Sequence, residues 1–203
     1  MRSDERLFDN VAVVSIPDRD FRVLNALDVS LYRCMFKYEA IYQIIDQDKT
    51  DMNQSLVLLV WELVDWLERT KRIVRLGTGF PKTAKSRKIA NSLRSVVKLR
   101  NKFQHPKEFI PEPAARDFAP LGAVTAFHML DNRQLRFLVF NPGLVKSDSN
   151  LGAALVPSVM ADRVDYVTLT LDGMELNLSP IMRDLHGYYE ELRHLLSNKY
   201  PQM

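Results

Sequence analysis

The chain has 203 residues, 28 Lys and Arg against 25 Asp and Glu, 46% hydrophobic and 26% charged residues, and one cysteine. These values exclude a disordered tail, a collagen-like repeat and a disulfide-stapled miniprotein, and they leave enough chain to bury one sizeable core. Cys34 has no second cysteine to bridge to, the first residues lack the apolar stretch of a signal peptide, and the richest apolar run, Leu56 to Leu67, is too short for a bilayer. A cytoplasmic protein with no membrane segment is expected.

The charge is unevenly placed. From Arg69 to Lys107 there are 13 basic residues and no acid, whereas the other 164 residues carry 15 basic and 25 acidic side chains. Such a segment attracts phosphate and steers nucleic acid, or it is a solvated helix face neutralised by acids elsewhere in the fold.

In chain order, Val11–Ile16 predicts a short strand closed by Pro17. From Asp20 to Asp46, Leu24, Leu27, Leu31, Met35, Tyr38, Ile41, Ile44 and Ile45 recur at three and four, the pattern of an amphipathic helix. Thr50-Asp51 offers N-cap chemistry for a second helix reaching Val74. That helix is apolar nearly all round, Trp61 and Trp66 included, so it is expected in the middle of a bundle. Glu62 within it should lie near a basic group, because an unpaired carboxylate there is costly. Arg75 to Lys82, with Gly77, Gly79 and Pro81, reads as a loop. A third helix is expected from Thr83 to His105, where Pro106 stops it.

Beyond Pro106 the composition changes. Prolines 106, 111, 113 and 120 mark an extended linker. Strands are predicted at 122–130, 135–141, 164–171 and 174–178, the last two joined by Asp172-Gly173, the pair a two-residue hairpin turn prefers. Ser179-Pro180 is expected to cap a last helix ending near Lys199. The whole chain, 1–203, then reads as a single domain of mainly α class. Residues 20–107 and 179–200 form a helical bundle, and a β-rich insertion at 119–178 separates the third and fourth helices. The alternative architecture is an α+β layered domain with an independent sheet.

The end of the third helix carries the chemistry. At about 100° per residue, Ile89, Leu93, Val96 and Val97 share one apolar stripe, and Arg100 falls near its centre. An arginine there is either paired with a carboxylate, for which Glu62 is the candidate, or faces a cleft. Asn101 and His105 stand one turn apart, so the amide is placed to fix the imidazole. His105 in the last turn either complements the helix dipole or works as an acid or base near neutrality. No spacing among His128, His186 and His194 matches a metal site, and no cofactor is expected. Cys34 reads as a small buried hydrophobe.

Arg100-Asn101-Lys102-Phe103-Gln104-His105 resembles the arginine–polar–x–x–x–histidine signature of the HEPN superfamily. The resemblance implies a helical bundle and a metal-independent endoribonuclease of toxin or phage-defence type, in which the ribose 2′-hydroxyl attacks the neighbouring phosphate. His105 would then be general acid or base, Arg100 would stabilise charge on the phosphate, and Asn101 would orient His105 or bind substrate. Arg94, Lys98, Lys102 and Lys107 would contact flanking phosphates. Five residues of ideal helix set Arg100 and His105 about 140° apart. The site therefore needs either an unwound last turn or a second copy of the chain, and a homodimer with a composite cleft is the favoured expectation. RNA and an antitoxin protein are the implied partners. A non-catalytic dimeric module that binds nucleic acid or nucleotide, with the insertion as its recognition element, is the alternative.

Overall fold

The computed structural model describes residues 6–47, 53–77, 79–80, 82–104, 122–129, 135–140, 166–171 and 174–202. Its helices are α1 (Asp18–Asp46), α2 (Asn53–Leu76), α3 (Ala84–Gln104) and α4 (Leu178–Lys199), and its strands are β1 (Ala123–Met129), β2 (Leu135–Phe140), β3 (Tyr166–Leu171) and β4 (Met174–Asn177). The protein is thus mainly helical, with a small antiparallel sheet between α3 and α4. Thr50-Asp51, the 106–121 linker and 141–165 lie outside the described residues.

Cross-helix contacts fix the arrangement. Ser30 Oγ lies 2.6 Å from Thr70 Oγ1, and Lys37 pairs with Glu62, so α1 and α2 are antiparallel. Asp65 meets Arg100, and Trp61 stacks on Phe103 with ring centroids 3.8 Å apart, which reverses α3 against α2. Thr83 donates to Glu191 and Ser92 to Asp184, setting α4 antiparallel to α3. Tyr38–Ser179 and Tyr189–Asp28 bonds close the ring between α4 and α1. This is an up-down-up-down bundle whose only long connection carries the sheet.

The sheet order is β2-β1-β3-β4, every neighbouring pair antiparallel. Register places Val124, Ala126, Leu138, Phe140, Val167, Leu169 and Leu176 on one face, and all join the core cluster of the helices. The sheet therefore shares the bundle's core, capping the end where α1 and α3 finish and α2 and α4 begin. Gly122 has φ +78°, and a Cβ there would sit 2.7 Å from the Thr170 carbonyl oxygen, so only glycine admits β1 this close to β3. Leu171 pairs with Met174, which matches the expected two-residue hairpin connection, although Asp172 and Gly173 themselves lie outside the described residues.

Three expectations are corrected. Val11–Ile16 is no strand. Val13–Ser15 forms a 3₁₀ turn, Val14 is 98% exposed, and Val11 makes a single bridge to Pro201. A β-branched run without a partner strand has no ladder to join. α2 is not buried all round, since Leu58, Glu62, Arg69 and Arg72 form an exposed side. Ser179 does not cap α4, whose N-cap is Asn177 without a side-chain cap bond. Its hydroxyl instead accepts the Val167 N–H at 2.9 Å and bonds the Tyr38 hydroxyl at 2.7 Å, tying α4, β3 and α1 together.

No helix among the described residues is long and apolar enough to cross a membrane. Cys34 is fully buried, and burial pushes its thiol pKa up to about 12, although a contact to Thr70 Oγ1 at 3.6 Å opposes the shift. Such a thiol packs and does not react.

Candidate nucleic-acid interface

Helix α3 supplies the candidate residues, and its core face holds it in place. Ile89, Leu93, Val96 and Leu99 are buried, and Phe103 stacks on Trp61 of α2, so the last turn before residue 105 is pinned. Arg100 projects from the same buried side. Its side chain is 20% exposed, and its Nε donates to Asp65 Oδ1 at 2.5 Å.

The partner is Asp65, not Glu62. With α2 and α3 antiparallel, Trp61 stands level with Phe103 and Asp65 with Arg100. Glu62, about 60° from Asp65 around α2, turns towards α1 and pairs with Lys37. The basic neighbour expected for Glu62 is present, but it comes from another helix, and Glu62 is a surface carboxylate. Arg100 has five N–H donors, and Asp65 engages only Nε. Among the described residues none accepts from its two terminal amino groups, the fork that suits a phosphate.

Asn101 is exposed. So are Arg87, Arg94 and Lys98, and the four fall within an arc of about 60° over a length of about 21 Å. Lys102 is half-buried. His105 and Lys107 lie outside the described residues. The structure thus brings Arg94, Lys98 and Asn101 onto one exposed stripe, and places Arg100 beside it against α2.

The acid-free segment is neutralised only in part. Lys88 pairs with Asp184 at 2.7 Å and Arg72 with Glu68 at 2.5 Å, in addition to Arg100 with Asp65. Among the described residues no carboxylate pairs with Arg75, Lys82, Arg87, Arg94 or Lys98.

A second feature was not legible from the motif. At the bundle end opposite the sheet, the close of α2, the start of α3 and the second half of α4 enclose a cleft of about 380 Å³. Arg75, Lys82, Arg87 and Arg94 line it, with Glu191 as the one acid among the described lining residues. Gly77, Phe80 and Lys82, between α2 and α3, form one wall. Gly79, at φ +73°, lies so close to Asp20 of α1 that a Cβ would overlap the carboxylate. The only sequence signal for the cleft was the run of basic residues without an acid.

Lys71, one turn before Arg75 on α2, is only 7% exposed. Its loss of solvent, followed by the charges of Arg75 and Arg94, holds its pKa below the usual lysine value, while Glu68 opposes them. The protonated form is therefore disfavoured in the folded state. The cost is full below the folded pKa and fades as pH rises through it towards the unfolded value. Lys71→Met is expected to raise stability at pH 7 by about 1 kcal/mol. The gain should shrink in thermal melts at alkaline pH.

Comparison of the chain with protein-family models, with curated proteins and with solved structures finds no match.

Proposed function

We propose that the protein is a metal-independent endoribonuclease acting on RNA through Arg100, Asn101 and His105. The observation that carries this reading is the state of Arg100. Its Nε is anchored by Asp65 while no described residue accepts from its terminal donors, and it stands beside the exposed Asn101 near the end of α3. Anchoring at Nε removes rotamer freedom that phosphate binding would otherwise have to freeze.

In this reading the ribose 2′-oxygen forms a bond to the adjacent phosphorus, the bond from phosphorus to the 5′-oxygen breaks, and a cyclic phosphate results. His105 takes the 2′-hydroxyl proton or gives one to the departing 5′-oxygen. Arg100 stabilises the charge gathering on the phosphate. Arg94 and Lys98 hold flanking phosphates along the exposed stripe, with Lys102 and Lys107 beside them. A homodimer brings the arginine of one chain to the histidine of the other, which answers the angular separation of the two residues. A toxin or defence role, with an antitoxin partner, follows from the motif resemblance alone.

The non-catalytic binding module remains the second reading, favoured by the same ion pair, since a carboxylate partner gives Arg100 a structural role. RNA cleavage by wild-type and His105→Ala protein in EDTA, with molar mass measured by light scattering, separates the two. The catalytic reading expects cleavage lost in the variant and a mass of two chains. A folded wild-type protein of one-chain mass that cuts RNA fully would remove the dimer, and undiminished cleavage by the variant would remove the catalytic role.

A further inference from the structure

We propose that the cleft at the bundle end opposite the sheet binds a terminal phosphate monoester, the phosphate of a 5′-phosphorylated RNA end or of a free nucleotide. It extends away from the cleavage motif, with Arg87 about 20 Å from Arg100 along α3, and Arg94 borders both the cleft and the exposed stripe.

The charge in the cleft is unbalanced. Arg75, Lys82, Arg87 and Arg94 line it without an ion-pair partner among the described residues. Its one described acid, Glu191, accepts the Thr83 hydroxyl at 2.6 Å. Cations gathered without counter-charge repel one another, and a bound dianion relieves them together. Lys71, one turn before Arg75 on α2, has its charge disfavoured first by burial and then by Arg75 and Arg94.

Shape and lining narrow the ligand. Three arginines present planar forks, which match phosphate oxygens in pairs. The volume exceeds what a bare phosphate fills and lies in the range of small-ligand sites. Val74, Phe80, Tyr188 and Leu192 supply an apolar wall beside the cations. A phosphate carrying a flat, partly apolar nucleoside fits both halves. A fully extended RNA backbone would use the exposed stripe of α3 instead, and would need no cleft.

The test uses full-length protein and a labelled RNA oligomer with 2′-O-methyl riboses, so that binding is read whether or not the protein cleaves. The oligomer carries either a 5′-phosphate or a 5′-hydroxyl, and adenosine monophosphate and adenosine are compared by thermal shift. Arg75 and Arg87 are exposed, so Arg75→Glu/Arg87→Glu should keep the wild-type fold, checked by its melting curve. The expected result is binding at least tenfold tighter for the phosphorylated RNA, with adenosine monophosphate stabilising the protein and adenosine not. Both effects should vanish in the double variant. Stabilisation by the monophosphate with no preference between RNA ends assigns the site to a free nucleotide. Equal response to phosphorylated and unphosphorylated ligands, or a preference retained by the folded double variant, overturns the proposal.

Discussion

His105→Ala is expected to slow RNA cleavage by about 10²–10⁴-fold while leaving the melting temperature unchanged, the usual cost of removing a positioned acid or base. The residue follows directly on Gln104, where α3 ends, and the buried side chains of that helix, Ile89, Leu93, Val96 and Leu99, all precede it. Arg100→Ala is the companion test, and the structure changes its interpretation. Glu62 is not its partner, so no buried carboxylate is stranded. Asp65 is 46% exposed and returns to water, which limits the stability loss to about 1 kcal/mol. Cleavage and melting curves measured together then separate chemistry from folding. Loss of activity with the fold retained in both variants is the expected result, and undiminished cleavage by folded His105→Ala protein contradicts the assignment.

The largest stability effect is expected at a residue far from the motif. Asp28, on α1, is 1% exposed. One of its oxygens accepts from Arg6 Nε at 2.9 Å and Nη2 at 2.7 Å, and the other from the Leu7 N–H at 3.0 Å and the Tyr189 hydroxyl at 3.4 Å. Burial, then the Asp28 charge, raises the Tyr189 pKa well above its ordinary value, so the phenol stays a donor. This carboxylate gathers the N-terminal segment, α1 and α4. Asp28→Ala leaves a buried amide and a phenol without their acceptor and Arg6 without its counter-ion, and should cost about 3–5 kcal/mol in urea or thermal unfolding. Asp28→Asn keeps an acceptor and should lose less. A change below about 1 kcal/mol for Asp28→Ala would show that the network contributes little.

The helices were legible because each buries one stripe. The periodicity from Leu24 to Ile45, and from Ile89 to Val96, follows directly from which side faces the core. The strands were legible from alternation, and the β3–β4 register from Asp172-Gly173. Val11–Ile16 misled because a short run rich in β-branched residues does not reveal whether a neighbouring strand exists. Ser179 misled because a hydroxyl at a helix start serves a distant N–H as readily as its own helix. The pairing of Arg100 was legible in kind but not in partner. Glu62 and Asp65 stand three residues apart, and only the relative rotation of α2 against α3 decides between them. The basic cleft was legible only as a charge imbalance, since its walls come from three helices and one loop.

The central claim is that RNA is cut through its own 2′-hydroxyl, and the chemistry of the product ends tests it most directly. Wild-type protein incubated with RNA in EDTA should leave 2′,3′-cyclic phosphate and 5′-hydroxyl ends, and a single 2′-deoxy substitution at the cut position should protect that bond. Products bearing 3′-hydroxyl and 5′-phosphate ends, or cleavage at the deoxy-substituted position, would contradict it.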